Sequence, residues 1–275
     1  MYSLFATACL IGATLACPGP EIPSRLGKRA DATTTEWAYD ASYNWAMINP
    51  DYSLCQTGTQ QSPIQLSLSS GFSRLHTPSF SYSTPFTGTL YNWGYGLAFT
   101  SPSSSNSSAI TTHPSLSYDN TTLYLQSWHI HAPADHTISG DRSKAELHLV
   151  HADASGVARA VVGFLVDPVA YNDSSAGDSA WFASLGRVED FPMYNNDTKI
   201  EMSLDMRQVV AEVDGYKDFW TYEGSLTSPP CTEGKRWFVA GKVLRLGTRQ
   251  MQELLRVSTY SARVEQEIWG HGVNE

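Results

Sequence analysis

Apolar and polar residues alternate with a period of two along much of this chain, and the helical period of 3.6 is scarce. TLYLQSWHIH (122–131), AELHLVH (145–151), ARAVVGFLV (158–166) and RWFVAGKVLRL (236–246) are rich in β-branched and aromatic residues and read as strands. MSLDMRQVVAEV (202–213) and TRQMQELLR (248–256) carry apolar residues at helical spacing, the second with Thr248 as its expected N-cap. Ser-rich SPSSSNSS (101–108) and NDSSAGDS (172–179) read as surface loops, too short to divide domains. The pattern predicts one β-dominated α+β domain built around a sheet, with a few short peripheral helices.

The start of the chain breaks this pattern. Leu4–Leu15 is a run of apolar and small residues, too short for a ~30 Å hydrocarbon core, and fits the core of a signal peptide over 1–16. CPGPEIPSRLG then closes on Lys28-Arg29, as a propeptide over 17–29 would, leaving 30–275 as the mature domain. Cys9 and Cys17 fall in the part expected to be removed. Cys55 and Cys231 remain, and in an exported protein such a pair reads as a disulfide, in the cytosol as free thiols. Asn106, Asn120, Asn172 and Asn196 head N-x-[ST] sequons, candidates for glycosylation. Secretion to the extracellular space is the expectation, with no membrane tail. A formal net charge of −9 with only 16% charged residues excludes the basic blocks that bind phosphate backbones, so no nucleic-acid partner is expected.

Candidate chemistry comes from the alternation itself. A strand places residues i and i+2 on one face. His129 and His131 therefore share a face, with Trp128 and Ile130 on the other. Glu146, His148 and Val150 share a face, with Leu147, Leu149 and His151 behind them. On neighbouring antiparallel strands, His129, His131 and His148 can converge on one cation. Three imidazoles are a tetrahedral Zn2+ set with an open fourth position, the mark of a catalytic site. A His-x-His pair alone is more often structural. With Asp135 and Gly140 following, it is also loosely similar to a cupin, implying iron or manganese, although the cupin glutamate is an aspartate and no later cupin histidine is placed.

Longer motifs narrow this choice. WHIHAPADH (128–136) with AELHLVH, QSPI (61–64), GSLTSPPC (224–231), WAY (37–39) and SARVEQ (261–266) resemble, in order, the motifs of α-class carbonic anhydrases over nearly the whole mature chain. A secreted eukaryotic member of fungal type is the expectation. The resemblance implies a large twisted, mostly antiparallel sheet with zinc in a conical cavity, and reversible hydration of CO2 to bicarbonate and a proton by hydroxide generated at zinc. His129, His131 and His148 take the ligand positions. Thr227 takes the place of the threonine that orients the hydroxide, and Asp135 that of the acid it bonds to. Glu146, Ser127 and Tyr39 fall at positions supporting the ligands, Glu146 by receiving the His148 ring N–H. Val150, Val161, Leu226, Ser228 and Trp237 match the substrate pocket. Cys55 and Cys231 match the disulfide of exported members, bracing the Thr227 loop. Some relatives form homodimers; no sequence patch is diagnostic of one. A non-catalytic binding protein of the same fold is the alternative.

Three departures bear on rate. Tyr95 stands where the fastest members carry a proton-shuttling histidine, and a phenol with pKa about 10 is a poor relay at pH 7. Asp135 is one methylene shorter than the usual glutamate, and Ser127 is shorter than the glutamine that supports the first ligand. His136 and His151 are expected to be buried structural residues.

Overall fold

Strand formation follows the alternating segments closely. The computed structural model describes residues 37–102, 107–170, 177–193 and 197–275. The expected signal peptide and propeptide, and the sequons at Asn106, Asn172 and Asn196, lie outside these residues; Asn120 is exposed in the turn before a strand. The strands are β1 (Gln65–Leu66), β2 (Ser79–Ser81), β3 (Phe86–Asn92), β4 (Leu97–Thr100), β5 (Ser115–Tyr118), β6 (Thr121–His131), β7 (Thr137–Ile138), β8 (Ala145–Ala152), β9 (Ala158–Pro168), β10 (Ile200–Leu204), β11 (Phe219–Ser225), β12 (Glu233–Ala240) and β13 (Leu244–Leu246). Eleven form one sheet whose main path runs β10-β3-β4-β6-β8-β9-β12-β11, with β5 and β2 beyond β6 and β13 on β9. Only the pairings of β9 with β12 and β13 are parallel in it. β1 and β7 form a separate parallel pair. No helix among the described residues is long and apolar enough to cross a membrane.

Four local expectations are corrected. RWFVAGKVLRL is not one strand: it breaks after Ala240, and Leu244–Leu246 forms a separate strand on β9. Residues 202–213 are not one helix: Ile200–Leu204 pairs with β3, and only Arg207–Glu212 is helical. Ile200, Met202 and Leu204 also satisfy a period of two, and the β3 edge offers hydrogen bonds that a lone helical turn cannot match. Asp205 then marks the change, its carboxylate accepting from Arg207 N at 3.0 Å. Thr248 is the first helical residue rather than the cap; Gly247 caps, donating its N–H to Gln250 Oε1 at 3.0 Å. The Ser-rich loop ends in a short helix, Ser107–Ile110, whose Ile110 is buried.

The two faces of the central strands divide as their alternation demands. One carries Trp128, Ile130, Leu147, Leu149, Val162 and Phe164 into the main core. The reverse carries the histidines, with Val161, Trp237 and Val239 in a second cluster. His151 lies on the core side, buried, with Nε2 2.7 Å from the Tyr82 hydroxyl. Burial pushes its pKa down to about 3. The unfolded chain therefore takes up a proton below about pH 6.5 that the folded chain refuses until about pH 3, and stability falls as pH drops through that window, by an amount on the order of 5 kcal/mol when complete. His151→Gln is expected to flatten the acid limb of a urea-midpoint profile; an unchanged limb would show that other groups dominate it.

Candidate metal centre

β6 and β8 pair antiparallel with His129 opposite His148 and His131 opposite Glu146. One ring nitrogen from each of His129, His131 and His148 lies within 4.8 Å of the others. His131 and His148 are buried and His129 is half-buried, so the cluster is reached from the His129 side.

Each ring is steered from behind. His131 Nδ1 donates to Ser261 O at 2.7 Å, which leaves Nε2 sealed and unpartnered. His148 Nε2 lies 3.0 Å from Glu146 Oε1, off the line of a full hydrogen bond, so Nδ1 is the nitrogen left for a cation. Glu146 is itself fixed: its Oε1 is 2.7 Å from His136 Nδ1 and its Oε2 accepts from His136 N at 2.8 Å. Gly163 faces His148 across β8 and β9, where an added Cβ would come 2.9 Å from Glu146 Oε1. Glycine thus makes room for the carboxylate. His136, Glu146 and His148 also cluster closely, but hydrogen bonds already occupy both His136 nitrogens and both Glu146 oxygens. His129, His131 and His148 are the set with nitrogens to spare.

Electrostatics favours ligation. Burial, then the neighbouring His131 and His148, holds the His129 pKa well below the usual imidazole value, and burial lowers that of His131. Both rings are neutral at pH 7, with lone pairs available to a metal. Burial raises the Glu146 pKa, yet His136 and His148 outweigh it and hold the group well below the usual carboxylate range. Three converging imidazoles, one sealed nitrogen without a partner and a carboxylate behind the third ring fit Zn2+.

The segment carrying Thr227 follows directly on β11. Cys55 and Cys231 are joined across 176 residues. Around this link Leu226 N donates to Thr232 O at 3.1 Å and Gln61 Nε2 to Cys231 O at 3.1 Å. Ser62 and Ser225 exchange hydrogen bonds, each backbone N–H donating to the other's hydroxyl at 2.8 and 3.0 Å. Cys231→Ser is expected to cost about 2–5 kcal/mol and to lower activity by loosening this loop, read from denaturant midpoints and initial rates; an unchanged midpoint would refute it.

Thr227 is buried, and no hydrogen bond joins it to Asp135 among the described residues. Asp135 Oδ1 instead accepts from Arg263 N at 2.8 Å, while Oδ2, 3.5 Å from His131 Nδ1, has no hydrogen-bond partner. Ser127 is half-buried opposite Val150 and forms no hydrogen bond with His129 among the described residues. Val150, Val161 and Trp237 lie side by side in register across β8, β9 and β12, with Leu226 and Ser228 half-buried nearby in the chain. Tyr39 is buried; burial first, then the Asp135 charge, raises its phenol pKa well above 10. Tyr95 is only 9% exposed, packed against Tyr39, Trp93 and Trp37 with ring centroids 4.9, 5.0 and 5.9 Å away.

Sequence reasoning missed three supports. Trp93 stands 5.3 and 5.4 Å from the rings of His129 and His131; only its spacing of two from Tyr95 hinted at a shared face. Ser261 O orients the His131 ring from 130 residues away. Arg263, fully buried, donates to Ser62 O, Cys55 O and Gln61 Oε1 at 2.6, 2.7 and 2.9 Å. Burial lowers its pKa to about 10, which leaves it cationic at neutral pH.

Comparison with known proteins agrees with this fold. Residues 40–269 match the family model described as eukaryotic-type carbonic anhydrase. A carbonic anhydrase of Klebsiella pneumoniae is 29% identical over 79% of this chain and 81% of its own length. The fungal α-carbonic anhydrase of Aspergillus oryzae superposes with a TM-score of 0.68 at 24% identity, covering 82% of this chain and 89% of that one. A dioscorin solved with ascorbate superposes with a TM-score of 0.67 at 25% identity, over 84% and 92%.

Proposed function

The chain belongs to the eukaryotic-type carbonic anhydrase family, and from that premise we propose that it hydrates CO2 reversibly at a zinc ion held by His129, His131 and His148. The observation that carries the zinc assignment is the buried His131 Nε2, unpartnered beside two other imidazoles. When bound, zinc supplies an acidified water as nucleophile at neutral pH.

The protein's own groups do the rest. Glu146, clamped by His136, fixes the tautomer of His148, and Ser261 O fixes that of His131. Val150, Val161, Leu226 and Trp237 offer CO2 an apolar wall, which suits a molecule with little to give hydrogen-bond donors. Ser228 stands at the edge of this pocket. Thr227 orients the attacking oxygen by accepting its hydrogen bond and passing its own proton toward Asp135. Because Asp135 Oδ2 is unclaimed, that contact is made by a bridging water or by a small closure of the loop. Asp135→Glu, one methylene longer, is then expected to leave kcat/KM unchanged or to raise it by up to about ten-fold, ~1.4 kcal/mol. A large loss would mean that the backbone is fitted to aspartate. Proton release is slow, because Tyr95 replaces a shuttle histidine.

The apolar leader, the dibasic pair and the Cys55–Cys231 link support an exported, extracellular member of fungal type. The test of function is stopped-flow CO2 hydration by protein of known zinc content. Rapid zinc-dependent turnover supports the reading. No turnover at full occupancy would favour the second reading, a binding protein of this fold, which the likeness to dioscorin keeps in view.

A further inference from the structure

Lys235 lies on β12 two residues before Trp237, and so on the face that carries the proposed CO2 wall. It is 5% exposed. No hydrogen bond or ion pair involves its amine among the described residues, and the amine is not among the polar atoms sealed from solvent. The stem is buried and the nitrogen is reachable. On β11 its register partner is Gly224, where an added Cβ would collide with Ser62 Oγ. On the other side, extending the β12–β9 register by one residue brings Arg159 beside it.

The charges around this amine all disfavour its protonated form or are committed elsewhere. Burial lowers the Lys235 pKa, and the Arg159 guanidinium lowers it further. Glu233, across a bulge in β12, spends Oε1 on Gln60 N at 2.7 Å and Gln61 Nε2 at 3.0 Å. Asp153 accepts from Arg159 Nε at 2.8 Å. Glu223 pairs with Arg236 at 2.6 Å, on the reverse face of β12. Among the described residues no carboxylate forms an ion pair with Lys235, and the one charge acting on it is that of Arg159.

We propose that Lys235 is a site of reversible carbamate formation by CO2, with the new carboxylate facing Arg159. The uncharged amine nitrogen attacks the carbon of CO2 and an N–C bond forms. One C=O π pair moves onto oxygen, and a nitrogen-bound proton leaves to water. The products are Lys235–NH–COO− and one proton. Placement beside a CO2 wall rests on the proposed function, whereas the reaction itself consumes dissolved CO2 and needs no metal.

The test equilibrates the full-length protein with isotope-labelled CO2 and bicarbonate, traps carbamates by ethylation with triethyloxonium, and maps the label by peptide mass spectrometry. Label at Lys235 is expected to exceed that at exposed Lys144, Lys199 and Lys217 several-fold, because burial and the Arg159 charge enlarge its uncharged fraction. Arg159→Gln is expected to lower it several-fold, because the amine regains protons and the carbamate loses its partner. His148→Ala is expected to label as the wild type does, which separates this result from any failure of hydration. Label spread evenly over exposed lysines, or confined to the α-amino group, would overturn the proposal, as would Arg159→Gln labelling like the wild type.

Discussion

His148→Ala should leave a protein that retains its fold, holds almost no zinc and hydrates CO2 with a kcat/KM lower by about a thousand-fold or more, ~4 kcal/mol of lost transition-state stabilisation. Removing one of three imidazoles leaves two ligands, too few for a tetrahedral site. The damage to folding is limited by the neighbours. Glu146 keeps both of its bonds to His136 and so is not left as an unpaired buried charge. His151→Gln is the matching control: that histidine is on the opposite face of the same strand, bonded to Tyr82, and its loss should spare zinc and turnover. Metal analysis, near-ultraviolet circular dichroism and stopped-flow rates on both variants separate the possibilities. A His148→Ala protein that keeps zinc and turnover would refute the ligand assignment.

The second large effect concerns the proton. At low buffer concentration kcat is expected to be limited by proton transfer, rising by about an order of magnitude as an imidazole-type buffer is added, while kcat/KM stays constant. All eight histidines of the chain are described, and each is committed. Three form the cluster, and His136 is held by Glu146 and Tyr222. His151 meets Tyr82, and His271 meets Gln61 O at 2.9 Å. His113 contacts Leu125 O at 2.8 Å and Ser101, and His76 is paired with Asp119. Tyr95 is packed among aromatic rings rather than standing in open water. Tyr95→His is therefore expected to raise kcat only partly, since an imidazole buried there pays a desolvation penalty before it can carry a proton. A kcat indifferent to buffer would defeat this account.

The histidine cluster was legible because the period of two fixes which side chains share a face, and each central strand has an apolar reverse that leaves its register little freedom. The core and the placing of His136 and His151 were legible for the same reason. Residues 202–213 were misread because Ile200, Met202 and Leu204 fit both periods, and the choice was made by β3, distant in sequence. Arg263 shows another limit. It stands in a recognisable motif, but its burial depends on Cys55 O, Gln61 and Ser62, about 200 residues earlier, which no local pattern reports. Trp93 against the ligand rings and Lys235 beside Trp237 are of the same kind: each is an ordinary residue in its own segment, given meaning only by the strand packed next to it.

The bond from His131 Nδ1 to Ser261 O has a bearing on how the protein is made. The histidines leave the ribosome well before the segment that aligns the second of them and, through Arg263 N, the acid at 135. A nascent chain ending before Ser261 can pair β6 with β8 and bring three imidazoles near each other, but nothing yet holds the His131 ring at the angle a cation needs. Capture of a cation by this cluster would then be expected only after translation has passed residue 263, once the distal segment has docked.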